Sequence, residues 1–170
     1  MEAFSGTIME LVRAHAAVAP PIVFLLAFGE SLAFISLLLP ATVLLVGGGG
    51  IVGAAGIGFW PIWGAAFAGA VIGDWVSYWV GAYYKEAAGS LWPLSRYPLL
   101  LPRGEAFFAK WGVAGVFLGR FFGPLRSVMP LVAGICAMSM VPFQIANLAS
   151  AALWATVVLA PGWITAEWLL

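Results

Sequence analysis

The chain predicts an all-α integral membrane protein with a single domain, 1–170, that reads twice as an interrupted apolar segment followed by a membrane span. Three observations carry this expectation. Composition comes first: 64% of the residues are hydrophobic and only 8% charged, with mean hydropathy +1.05, whereas a soluble domain is about one-quarter charged. Second, the long apolar runs are punctuated by proline and glycine at corresponding places in the two halves. Third, Glu30, Asp74, Arg120 and Arg126 lie inside those runs, where an ionised side chain facing hydrocarbon is costly and must find a partner.

Residues 3–18 place Phe4, Ile8, Leu11 and Val12 on one helical face, with Glu10 and Arg13 elsewhere, before Pro20-Pro21 stops the pattern. This reads as an interfacial helix, or as an extended entry to the first membrane segment. From 22 to 50 the chain is apolar except for Glu30, Ser31, Ser36 and Thr42, is interrupted at Pro40, and closes on Gly47 to Gly50. A plain span would be odd here. Residues 59–83 form a cleaner transmembrane helix, about 37 Å long at 1.5 Å per residue. Trp60 and Trp63 stand at one end and Trp79, Tyr83 and Tyr84 at the other, as membrane interfaces favour. Gly69 and Gly73 make a small-residue ridge on it, suited equally to an internal contact or to a homodimer.

Residues 85–110 carry Lys85, Arg96, Arg103 and Lys110 against Glu86 and Glu105 and are punctuated by Pro93, Pro98 and Pro102. They read as the exposed polar loop or an interfacial helix. A second interrupted segment, 111–138, contains GRFFGPLRSVMP from Gly119 to Pro130. Gly123-Pro124 and Pro130 suggest backbone that turns at membrane depth, which is tolerated only where protein buries it or water reaches it. Residues 143–168 give a last span, with a kink expected at Pro161-Gly162. Laid over each other at an offset of 90, the halves place Gly29-Glu30 on Gly119-Arg120 and Pro40 on Pro130. Paired interrupted segments of this kind point to a transporter-type site where two repeats meet.

The two arginines outnumber what Glu30 alone needs, and guanidinium forks fit phosphate oxygens in a bidentate manner. An anionic headgroup is the ligand this surplus suits. Glu30, beside Arg120 or Arg126, is either a structural salt bridge or a carboxylate whose protonation switches the pairing. Asp74 reads equally as a helix-packing hydrogen bond or a proton relay. Asn147, Ser150 and Trp154 are most simply polar glue and aromatic packing, with a lining role in a shared cavity as the second reading; Thr42 and Tyr78 are further lining candidates.

Zero formal net charge argues against nucleic acid. The single cysteine, Cys136, lies in an apolar run and predicts neither a disulfide nor a metal cluster. No nucleophile elbow, phosphate-binding loop or second histidine is present, so no cofactor, no metal and no enzyme activity are expected. The first residues lack the pattern of a removable signal peptide.

Together these residues resemble the DedA family of small bacterial membrane proteins, also described by its VTT or SNARE-associated domain. The likeness runs from about Phe28 to Trp154. Its most specific part is GRFFGPLRSVMPLVAG, Gly119 to Gly134, with GDWVSYWVG, Gly73 to Gly81, as a second element and Glu30 at the first family acid. The resemblance implies two inverted repeats, each a re-entrant helical hairpin (22–50 and 111–138) plus a transmembrane helix, in the bacterial inner membrane. It also implies proton-linked movement of undecaprenyl phosphate or phospholipid by a flippase or scramblase. The family's paired arginines and acids carry over to Arg120, Arg126 and Glu30. Where the family often has a second acid, this chain reads Pro40-Ala41-Thr42, and its second turn is Gly123-Pro124 instead of Pro-Gly. Proton coupling would then rest on Glu30 or Asp74.

The expected function is transport of an anionic lipid, with the arginines on its phosphate. The alternatives are a proton-coupled cation or drug exporter and a non-transport structural protein serving envelope integrity. The net positive charge of 85–110 puts that loop in the cytoplasm, and two hairpins plus two spans then put both termini outside.

Overall fold

The computed structural model describes residues 16–32, 45, 53, 57–88, 100–122 and 125–169. Five α-helices and no strand occur among them. A single 3-10 turn, Ala16–Val18, leads into α1, Ala19–Ser31; then follow α2, Phe59–Ala88, α3, Leu100–Gly119, α4, Leu125–Ile135, and α5, Met140–Leu169.

Pro20 and Pro21 open α1 and do not merely stop what precedes them, because proline in the first helical turn gives up an amide that has no intrahelical partner anyway. The expected interfacial helix over 3–18 lies outside the described residues except for its last three, which form the 3-10 turn. At the other end Leu32 becomes extended and its amide bonds to the Gly29 carbonyl at 3.3 Å. The 13 residues of α1 span about 20 Å, short of the ~30 Å hydrocarbon core.

The fold is organised around α2, which runs 30 residues to Ala88 and so beyond the expected end at 83. Gly69, Gly73 and Ser77 form one row facing α1. A Cβ at Gly73 would lie 2.7 Å from both the Phe28 carbonyl oxygen and Ser31 Cβ, and the Ser77 hydroxyl donates to the Ser31 carbonyl at 3.2 Å. The glycine ridge is therefore an internal seat, covered by α1. Farther along, Gly81 brings α2 against the Leu131 carbonyl, and Gly134 of α4 lies against the Tyr78 carbonyl. α5 runs antiparallel to α2: the Trp63 indole donates to the Thr156 hydroxyl at 2.9 Å, and the Asn147 amide to the Val71 carbonyl at 3.0 Å.

One expectation is corrected. Pro130 does not break the chain; it lies buried within α4, which continues to Ile135. Its cost is one hydrogen bond, the one it cannot donate to the Arg126 carbonyl, and neighbouring helices make such losses tolerable at membrane depth. Helix occupies both ends of the expected 85–110 loop, through Ala88 and from Leu100, and α3 bends at Gly112, whose φ of 46° leaves the helical region. Pro161, where a kink is expected, sits inside α5.

The interior has two apolar clusters. One joins Val23 and Ala27 of α1, Ile62, Ala66 and Ala70 of α2, and Ala151 to Leu159 of α5. The other joins Tyr78, Phe108, Val116, Ala133, Phe143 and Ala146. Along both long helices, polar residues separate the clusters: Gly73, Asp74 and Ser77 on α2, and Asn147 and Ser150 on α5. The outer faces are apolar and exposed, with Ile72, Trp75, Val76 and Trp79 on α2 and Val141, Ile145, Leu148 and Leu153 on α5. Polar groups inside and large apolar groups outside are the order a lipid solvent dictates. Among the described helices, Met140–Ile164 alone combines the length and apolarity of a membrane span. α2 has the length, but its glycines, tryptophans, tyrosines and Asp74 lower its apolarity.

Candidate functional site

Four charges meet in the polar layer between the two clusters. Arg120 follows directly on α3, in a turn closed by the Phe121 amide on Leu118 and the Phe122 amide on Gly119. This turn aims Arg120 inward, where it is only 7% exposed. Its Nη2 forms a salt bridge with Asp74 Oδ2 and donates to Asn147 Oδ1 at 3.0 Å. Asn147, fully buried, has no freedom in this arrangement: its Nδ2 donates to the Val71 carbonyl and, at 3.2 Å, to Gln144 Oε1, which leaves only Oδ1 to receive the guanidinium. Arg120 Nη1 has no hydrogen-bond partner among the described residues.

Arg126 enters from the first turn of α4. Its Nη1 lies 3.1 Å from Glu30 Oε1, at the end of α1, and its guanidinium stacks over the Trp154 ring at 4.7 Å from the centroid. A desolvated cation over an indole face contributes about 2 kcal/mol. Glu30, Asp74 and Arg120 are buried and Arg126 is partly buried, so two acids and two bases form one neutral quartet. Each pair joins an acid from the first half of the chain to an arginine from the second. The offset of 90 aligns Glu30 with Arg120, but packing joins Glu30 to Arg126 and Asp74 to Arg120. Asp74 is thus an ion-pair partner, beyond either role expected for it.

Of the lining candidates, Asn147 and Trp154 touch the arginines. Tyr78 does not: its hydroxyl donates to the Met138 carbonyl at 2.6 Å and its ring stacks on Phe143. This pins the turn between α4 and α5, where Ala137 takes a φ of 51°. Pro40, Thr42, Gly123 and Pro124 lie outside the described residues. Gln144 and Ser77 were not singled out from sequence, although each stands three residues from a charged-layer residue, Asn147 and Asp74, at helical spacing. No group of His, Cys, Asp and Glu able to hold a metal occurs among the described residues.

The arrangement can do one thing chemically. Each arginine is paired with a carboxylate, so an incoming anion competes with an acid for the guanidinium, and protonating that acid weakens the competitor.

Comparison with known proteins adds the following. A family model described as the VTT domain matches residues 39–164. The chain is 35% identical over 140 residues to the inner membrane protein YabI of Escherichia coli, covering 82% of this chain and 55% of that protein. It is 33% identical over 144 residues to an uncharacterized membrane protein of Buchnera aphidicola, covering 85% and 56%. It is 31% identical over 126 residues to the inner membrane protein YghB of Salmonella typhimurium, covering 74% and 58%. The chain therefore spans little more than half the length of these relatives. No solved structure matches it.

Proposed function

Because the chain belongs to the VTT-domain, or DedA, family of membrane proteins, we propose that it is a transporter moving an anionic lipid, a phospholipid or undecaprenyl phosphate, across the bacterial inner membrane in a proton-linked cycle. The observation that supports this reading best is the quartet, in which both arginines are held by acids, Asp74 at mid-length of α2 and Glu30 at the end of α1. A guanidinium pair is a phosphate receptor by geometry, and the acids are built-in competitors for it. Protonating Glu30 frees Arg126 for the lipid phosphate; ionised Glu30 reclaims the arginine and expels the anion. The lipid chains stay in the bilayer throughout. With threonine at position 42, the proton falls to Glu30 or Asp74.

In this reading the partners are the lipid and protons, and no covalent chemistry is required. The mutual satisfaction of the four charges also suits a structural role, in which the quartet only locks the halves together. Arg126→Lys separates the two. Lysine keeps the charge but loses the fork and the flat stacking on Trp154. In proteoliposomes carrying fluorescent phosphatidate, lipid movement is expected to fall about tenfold, as for about 1.4 kcal/mol, while folded yield holds. Movement at the wild-type rate would overturn phosphate recognition by Arg126.

A further inference from the structure

Beside the quartet, a cavity of about 250 Å³ opens along one face of α3, and its lining is wholly apolar. Phe107 and Trp111 before the bend at Gly112, Gly115 and Leu118 after it, and Phe122 just past the end of α3 form one wall, and Met129 of α4 closes the other. Two glycines shape it. A Cβ at Gly115 would come 2.7 Å from the Phe107 ring, and one at Gly119 would come 2.6 Å from Met129 Cγ, so both side chains lie flat against helix backbone. The rim is open to the outside: Trp111 is 48%, Leu118 47% and Phe122 63% exposed.

Both walls lead to an arginine. Gly119 immediately precedes Arg120, and Met129 stands one helical turn beyond Arg126. At the far end, Lys110 Nζ sits 5.6 Å from the Trp111 ring centroid, the cation and indole pairing favoured at a membrane interface. The groove thus has an apolar surface of its own, with a cation against one lining residue and the two arginines next to or one turn from two others along the chain. That distribution matches an amphiphile with an anionic head and a hydrocarbon tail, and it has nothing to offer a polar solute.

We infer that this groove holds a single hydrocarbon chain of the lipid whose phosphate meets Arg120 and Arg126; the inference rests on the function proposed above. Since a cavity of ~150 Å³ takes up benzene, this one holds on the order of ten chain carbons, a segment of one chain and not two. Lipid tails are as apolar as the groove, so burial supplies no hydrophobic gain. The groove contributes position: dispersion contacts along one chain hold the head near the guanidiniums while the second chain remains in the bilayer.

The test is photolabelling of the full-length protein in vesicles doped with phosphatidate carrying a diazirine at mid-chain, with adducts mapped by mass spectrometry. A diacylglycerol of the same chain serves as the headgroup control. Adducts are expected on Phe107 to Met129 at about fivefold the level on the exposed faces of α2 and α5, a factor that one kcal/mol supplies. Leu118→Trp, at a half-exposed position, is expected to remove that enrichment by filling the groove. Even labelling over Trp75, Trp79, Ile145 and Leu148 would overturn the groove, while a surviving preference for phosphatidate would leave the headgroup reading intact. Equal labelling of the groove by diacylglycerol would keep the groove and overturn the headgroup reading. The wild-type map decides even if the variant folds poorly.

Discussion

Replacing Glu30 by glutamine should weaken the fold and strengthen anion binding at once, a combination that a purely structural salt bridge does not produce. Glu30 is 6% exposed and its Oε1 lies 3.1 Å from Arg126 Nη1. Removing one partner of a buried pair costs about 3–5 kcal/mol when the other is stranded. Here Arg126 keeps its stacking on Trp154, about 2 kcal/mol for a desolvated cation, and glutamine still offers an oxygen. The net loss of stability is therefore expected at about 2 kcal/mol, read as a shift of the unfolding midpoint in mixed detergent followed by tryptophan fluorescence. The freed guanidinium no longer exchanges a carboxylate for a phosphate, so affinity for short-chain phosphatidate should rise about thirtyfold, the equivalent of about 2 kcal/mol.

The pH dependence follows in sign. Under the proposed competition, phosphatidate binding to the wild type tightens when Glu30 takes up a proton and weakens when its ion pair with Arg126 re-forms. Glu30→Gln, which has no proton to exchange at this position, should bind with an affinity independent of pH. Titrating phosphatidate into the solubilised protein at several pH values checks this. Lower stability with unchanged affinity, or an undiminished pH response, would refute the competition between Glu30 and phosphate.

Other substitutions probe how the quartet is held. Asn147→Leu removes one acceptor of Arg120 Nη2, which keeps Asp74, and the donor to the Val71 carbonyl; a loss of about 1–3 kcal/mol is expected, measured by the same unfolding assay. Tyr78→Phe loses only the bond to the Met138 carbonyl, so stability should drop by about 1 kcal/mol with lipid movement unchanged, which separates Tyr78 from the site. Gly73→Val puts branched atoms where the Phe28 carbonyl and Ser31 already lie, and should displace α1 at a cost of about 3 kcal/mol or more. Loss of proton-dependent lipid movement should accompany it, because Glu30 rides on that helix.

The chemistry of the quartet was legible in the sequence because ionised groups in apolar runs are too costly to lack partners, so Glu30, Asp74, Arg120 and Arg126 stood out. Their pairing was not. It depends on how deeply α1 settles on α2, which Gly69, Gly73 and the Ser77 bond to Ser31 determine, and no local pattern encodes that register. Pro130 shows the opposite limit. A proline in an apolar run looks like a break, yet at the sixth position of α4 it forfeits one bond and the helix continues. Pro20-Pro21 carried the same ambiguity between ending one helix and beginning another. The charges and prolines of 85–110 left loop and interfacial helix open, so the helical ends at Ala88 and Leu100 could not be placed from them. Trp154 was read as packing or as lining a shared cavity, and its partner stayed hidden, since stacking on a cation 28 positions away leaves no trace in spacing.

The claim on which all this depends is that Arg126 exchanges a carboxylate for a lipid phosphate. Phosphorus-to-nitrogen dipolar recoupling by solid-state NMR, on guanidinium-labelled protein in phosphatidate bilayers, measures that contact directly. At acidic pH a phosphorus is expected about 4 Å from the Arg126 guanidinium, the separation of a charge-assisted fork, and it should withdraw at alkaline pH. Phosphorus contacts confined to Lys110 and other exposed cations at every pH would contradict the account.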